Sequence, residues 1–233
     1  HSGSGKTSLT EALLYKTGAI DKKGKVEDGS TVSDYESQEQ KRHISIQTSI
    51  IPVEFEDYKL NFIDSPGFCD FEGEVLQALR ASEAALFVID GENGIEVGTE
   101  KYWNYTQQIN LPSIIFVNKL DKENANFNKV VSDLHIEFGK KVIPLTLMLG
   151  EGDEFEGIID VLDKKAYTYQ NGDKKEVEIP EIRLAEVDAV YEEIIEAVAE
   201  TDDSLMEKFF EGEEFSESEF IKGLSQAILE GTV

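Results

Sequence analysis

The sequence predicts an α/β fold: a mostly parallel sheet covered by helices on both faces, with an acidic α+β insert appended. Three observations carry that prediction. Short apolar runs at 84–89 and 113–117 alternate with amphipathic stretches of helical length, the pattern of strands buried on both faces. A glycine-rich turn, Gly3-Ser4-Gly5, opens the first helical stretch. After Gly150 the rhythm and the charge both change: residues 151–233 hold 7 Lys/Arg and 25 Asp/Glu, −18 of the chain's net −26.

Taken in order, Leu9, Ala12 and Leu13 share a face of the first helix, and Gly18 is its stop signal. Residues 22–42 form a long polar stretch with little periodicity; loops of that length inside a domain are usually functional or mobile. Residues 45–55 and 59–63 read as strands joined by the polar turn Glu56-Asp57-Tyr58. A helix at 71–81, a strand at 84–89, a helix at 97–109, a strand at 113–117, a helix at 127–138 and a last strand at 142–147 follow. Beyond Gly150, residues 157–170 and 173–179 read as a hairpin around Asn171-Gly172. A helix whose apolar side runs from Leu184 through Tyr191 to Val198 comes next, then two shorter helices at 203–211 and 216–229. There are no repeats and no low-complexity linker. The expected domains are a core at 1–150 and an insert subdomain at 151–233.

Composition narrows the function classes. The chain has 233 residues, 40% apolar and 30% charged, and its apolar runs are far shorter than the ~20 residues that span a bilayer, so no membrane role is expected. The first residues carry no signal-peptide core. The single cysteine, Cys69, forms no internal disulfide, which points to a reducing cytoplasm; it reads as a small packed hydrophobe. A net charge of −26 opposes direct, delocalised binding to nucleic acid, whose phosphates it would repel.

Three motifs carry chemistry. Gly3-Ser4-Gly5-Lys6-Thr7 matches the end of the phosphate-binding loop G-x-x-x-x-G-K-[ST]; the first glycine would precede His1, so the chain is expected to begin inside the motif, with the strand that feeds the loop missing. In such a loop, backbone N–H groups of Ser2 to Ser8 turn toward phosphates and the helix N-terminus favours them. Lys6 would reach the β- and γ-phosphates and the Thr7 hydroxyl would ligate Mg²⁺. Alone, this reads nucleoside triphosphate without naming the base. Asp64-Ser65-Pro66-Gly67 follows the strand at 59–63, at a carboxyl end, where α/β folds bind ligands. Asp64 would hold Mg²⁺ through water, and the Gly67 N–H would bond the γ-phosphate; loss of that bond on hydrolysis would release the loop. Asn118-Lys119-Leu120-Asp121 follows the strand at 113–117. A carboxylate only accepts hydrogen bonds, so Asp121 can pair bidentately with the N1–H and exocyclic amine of guanine, a donor pair adenine lacks. The Lys119 stem would pack over the base. A plain ATPase is disfavoured by Asp121.

On these residues the chain resembles the GTPase domain of translation elongation factor G and its paralogues. The likeness also includes Leu14-Tyr15-Lys16-Thr17-Gly18, Gly24-Lys25-Val26, Gln38-Glu39 before Arg42, Asp70-Phe71, Gly157-Ile158-Ile159-Asp160 and Lys165-Ala166-Tyr167. It implies a P-loop NTPase (Ras-like) domain with an insert, GTP and GDP as ligands with Mg²⁺, and GTP hydrolysis coupled to the ribosome. It also implies switch segments at 22–46 and 64–83, and an acidic insert that docks a ribosomal stalk protein; the other reading of the insert is a solvated, self-repelling helical surface. The last guanine-binding motif would lie beyond Val233. Four positions depart from the family pattern. Phe68 stands where a histidine positions the attacking water, and Gly3 replaces an aspartate. His43 replaces a glycine, and Ser45 replaces the threonine that helps ligate Mg²⁺ while keeping its hydroxyl. Phenylalanine cannot orient water, which leaves two readings: an active GTPase, with His43 as a substitute group, or a nucleotide-gated binding module with weak or lost hydrolysis. His135 is expected at the surface of its helix.

Overall fold

The computed structural model describes residues 1–150, 154–170 and 173–233. The chain divides into two compact units, one of residues 1–90 and 96–118, the other of 91–95 and 119–233.

In the first unit, helix α1 (Lys6–Lys16) starts from Gly5, whose φ of 102° is left-handed backbone that glycine adopts without a Cβ clash. No side chain caps it, so its first N–H groups stay available to a ligand. Its buried stripe is Thr7, Thr10, Glu11 and Leu14, spaced i, i+3, i+4, i+7, while Leu9, Ala12 and Leu13 are half-buried beside it. Polar residues hold the inward face because they are bonded there: the Glu11 carboxylate, 1% exposed, accepts from Gly24 N at 2.8 Å and Val32 N at 2.6 Å. The polar stretch after α1 is not featureless. It contains a short 3-10 turn, Val26–Asp28, and helix α2 (Ser37–Arg42).

Strands β1 (Ser49–Phe55) and β2 (Tyr58–Asp64) pair antiparallel from Ser49↔Asp64 to Phe55↔Tyr58, a register closed by a two-residue connection. β1 begins four residues later than expected, because residues 45–48 bond to side chains of other elements instead of to a strand. Ser49, Ile51 and Val53 point inward, and Leu14, Ile51 and Val53 form a buried cluster capped by Ile20 and Phe62. Helix α3 (Glu72–Ala81) precedes β3 (Ala85–Asp90). Helix α4 (Val97–Gln108) lies between β3 and β4 (Ser113–Asn118), which pair in parallel from Ala85↔Ser113 to Asp90↔Asn118. A parallel pair requires such a crossover, and here a helix supplies it. The hairpin apart, then, the α/β alternation of the sequence is realised as expected.

In the second unit, α5 (Phe127–Phe138) is capped by Asn126, whose side chain accepts from Lys129 N at 2.8 Å, and it buries Phe127, Val130, Leu134 and Phe138. His135 on this helix is half-buried, with Nε2 2.7 Å from Val142 O. Strands β5 (Thr146–Leu149), β6 (Gly157–Asp160), β7 (Lys165–Gln170) and β8 (Asp173–Val177) form one antiparallel sheet in that order. Two expectations change here. The strand placed at 142–147 is shorter and lies later, at Thr146–Leu149, and it pairs antiparallel with β6. The single strand at 157–170 is two strands, because the Asp160 carboxylate accepts from Leu162 N and Asp163 N and folds the chain back. The Asn171-Gly172 turn lies outside the described residues. Helix α6 (Glu181–Ala199) packs on α7 (Asp203–Glu211) and α8 (Glu217–Glu230), burying Ile194, Val198, Leu205 and Ala227. Among the described residues no helix is long and apolar enough to cross a membrane.

Candidate functional site

The sharpest cluster of polar side chains in the first unit forms where the loop before α1 meets the end of β2. Thr7 opens the inward stripe of α1, and Asp64 is the last residue of β2, so helix start and strand end converge. Thr7 Oγ1 donates to Asp64 Oδ2 at 2.9 Å and lies 3.3 Å from Ser45 Oγ. Ser45 Oγ in turn donates to Asp34 Oδ1 at 2.7 Å. Two hydroxyls and two carboxylates, all oxygen donors, thus come together from segments as far apart as Thr7 and Asp64. The set suits a hard divalent cation such as Mg²⁺. Thr7, Asp34 and Asp64 are buried.

The loop itself is tied from both sides. Lys6 Nζ donates to His1 O at 2.8 Å and Ser4 Oγ to His1 O at 3.1 Å. Asn118 Nδ2, at the end of β4, donates to Ser4 O at 2.9 Å, so the motif asparagine braces the phosphate loop by its side chain. Gly67 passes so close that a Cβ there would fall 2.5 Å from Lys6 Nζ and 2.6 Å from Ser2 Cα. Gly3 has a φ of 78°, left-handed backbone that favours glycine, with open space beside its Cα.

Burial moves two ionisable side chains at this loop away from their ordinary ranges. Burial pulls the Lys6 ammonium below its usual range, opposed by the nearby Asp64, Glu96 and Asp34 carboxylates. Burial likewise pushes the Asp64 carboxyl up, opposed by the hydroxyls of Ser33 and Thr7 and by Lys6. A phosphate at Lys6 and a cation at Asp64 would each offset the desolvation of its partner.

Of the residues singled out by motif, Ser2, Ser4, Gly5, Lys6, Thr7, Ser45, Asp64, Gly67 and Asn118 come together in this unit. Ser8, on the outer side of α1, is exposed, as is Gly3. His43 ends α2 with a left-handed φ of 54°, and its Nδ1 sits 2.9 Å from Val26 O. Its ring is therefore engaged with the 3-10 turn of its own loop. Phe68 is exposed and leads into a 3-10 turn, Cys69–Phe71. Cys69 is exposed and free, which corrects the expectation of a packed side chain: the turn holds it at the surface.

Lys119 and Asp121 belong to the second unit. Lys119 has a φ of 59°, a strained left-handed backbone of the sort found at ligand sites, and Asp121 is exposed. Their turn is held by Lys122 N donating to Lys119 O at 3.2 Å, and next to it Glu92 accepts from Lys122 Nζ and Asn124 Nδ2.

Three acidic residues escaped sequence reasoning: Glu11, Asp34 and Glu39. Each is buried, and together they hold the polar loop through backbone amides and Ser45.

A family model described as the elongation factor Tu GTP binding domain matches residues 1–228. Among solved structures, the chain is similar to a crystal structure of a protein from Thermus thermophilus, at 39% identity and a TM-score of 0.94. The match covers 100% of this chain and 35% of that one, so the chain spans about a third of the length of that protein.

Proposed function

The chain belongs to the elongation factor Tu GTP-binding domain family, and we propose that within it this is the GTPase domain of a ribosome-associated, cytoplasmic translation factor of elongation factor G type. It hydrolyses GTP to GDP and phosphate to drive a conformational switch. The observation that carries this reading is the Thr7–Asp64–Ser45 cluster at the start of α1, with a 2.9 Å bond between residues 57 positions apart in sequence.

In this reading residues 1–150 form the catalytic core and 151–233 an insert. The amides of residues 2–8 cradle the phosphates, with the charge of Lys6 on the β- and γ-phosphates. Thr7, Ser45 and Asp64 would hold Mg²⁺, which would supply positive charge against the phosphates. The Gly67 N–H senses the γ-phosphate. Asn118 braces the loop, Lys119 packs over the base, and Asp121 reads guanine. The exposed carboxylates Glu192, Glu193 and Glu196 on α6 form the face that docks a stalk protein; reversing their charge is expected to abolish pull-down of that protein, and unchanged capture would leave the insert a solvated surface.

Nucleotide competition tests the base. GTP and GDP are expected to displace a fluorescent guanine nucleotide, with ATP inert, and Asp121→Asn is expected to shift preference toward xanthosine triphosphate. An unchanged preference would remove Asp121 from this role. The second reading, a nucleotide-gated binding module, is favoured by one observation: Phe68, apolar and exposed, stands at the water-positioning place. His43 could replace it only by giving up its bond to Val26 O. Single-turnover GTP hydrolysis with ribosomes separates the two readings. Slow turnover that Phe68→His accelerates supports the binding module, and fast turnover without it supports the enzyme.

A further inference from the structure

Glu39 is a buried carboxylate that the proposed chemistry does not use. It lies in α2 and is 1% exposed. Its Oε2 accepts from Glu36 N at 3.0 Å, and its Oε1 accepts from Ile46 N at 2.9 Å and Gln47 N at 3.0 Å. A buried charge is costly unless bonded, and three charge-assisted bonds from amides that can only donate meet that cost. The two bonds at Oε1 fasten the residues directly after Ser45. Thus fastened, the Ser45 hydroxyl reaches Asp34 at 2.7 Å and Thr7 at 3.3 Å.

We propose that Glu39 is a positioning residue that adds affinity for a nucleoside triphosphate beyond what the site has for the diphosphate. By pinning Ile46 and Gln47 it holds the Ser45 hydroxyl at the cation side of the phosphate loop. This rests on the nucleotide reading above. The loop amides, Lys6 and Asp121 serve both nucleotides. A divalent cation held there would supply positive charge to the terminal phosphate of a triphosphate, and a group presented on that side would contribute only to the nucleotide that carries this phosphate. Affinity for the two ligands can differ only through such unequal contacts.

The test is equilibrium binding of fluorescent GDP and of a non-hydrolysable GTP analogue to the full chain in Mg²⁺. The variants are Glu39→Ala, Glu39→Gln, Ser45→Ala and the double variant Glu39→Ala/Ser45→Ala. Losing charge-assisted bonds should weaken the GTP analogue about tenfold or more in Glu39→Ala, with GDP affinity changed less than about twofold. Glu39→Gln keeps one oxygen for Ile46 N and Gln47 N and should fall between Glu39→Ala and wild type. Because Glu39 acts through Ser45, the double variant should be no weaker than Ser45→Ala alone. Equal losses for both nucleotides would reduce Glu39 to a structural part and overturn the proposal, as would additive losses in the double variant. Should Glu39→Ala fail to fold, the triphosphate-to-diphosphate ratio of Glu39→Gln decides, and a wild-type ratio overturns it. A wild-type chain that binds neither guanine nucleotide would instead sink the nucleotide reading, and this role with it.

Discussion

Gly67 shows how little room the phosphate end of this domain leaves. A methyl group there would meet Ser2 Cα at 2.6 Å and Ser2 N at 2.7 Å, both backbone atoms that cannot rotate aside. Gly67→Ala is therefore expected to weaken binding of a GTP analogue by about tenfold or more in a fluorescence titration; a wild-type Kd would show that the second switch segment does not approach the loop this closely in the bound state. At this scale the motif residues were legible, since Lys6, Thr7, Asp64 and Asn118 are recognisable by local spacing and all reach the loop or its cluster. Glu11, Asp34 and Glu39 were not. Glu39 stands within the family likeness, but nothing local shows what any of the three bonds, because their partners are amides and hydroxyls that folding brings in from up to 21 residues away.

Among the elements, α8 shows what a cap contributes in so acidic a chain. Ser216 and Glu219 form a reciprocal capping box, and Glu219 also accepts from Lys208 of α7 at 2.6 Å. The Lys208 bond, then those of Ser216, hold the Glu219 carboxyl down at about 2, against an ordinary 4.5. The folded-state value is depressed, so the stability it lends is present above about 4.5 and lost as pH falls through about 2. In urea unfolding followed by circular dichroism, the wild-type advantage over Glu219→Gln is expected to shrink across that window. An advantage independent of pH would mean the charge is not what caps the helix. Helices α5 and α7 match their expected limits residue for residue, since caps and apolar spacing are local signals. The break between β6 and β7 was missed, as it depends on the side chain of Asp160 folding back over its own backbone.

For the whole molecule, the dominant quantity is a net charge of −26, carried by 48 acidic and 22 basic residues. Like charges at that density repel within the folded chain, and the screening length shortens to about 10 Å at 0.1 M salt. The thermal midpoint is therefore expected to rise when sodium chloride is raised from about 20 mM to about 200 mM, as read by calorimetry. A midpoint that falls with salt would mean that ion pairs such as Lys101–Glu72 and Arg183–Glu186 outweigh the repulsion.

By itself the sequence determined which residues carry the nucleotide motifs, the α/β alternation up to β4, and the uneven charge along the chain. These follow from spacing and composition, which act over a few residues and survive any change of neighbours. Only the tertiary structure decided that Thr7, Ser45, Asp34 and Asp64 form one cluster, that β5 pairs with β6, that Cys69 is exposed, and that Glu39 sits in the interior bonded to the amides of Ile46 and Gln47. Burial and hydrogen bonding between distant segments are properties of the folded chain. A carboxylate in water and one closed around three amides share a name in the sequence and differ only in what the fold has brought beside them.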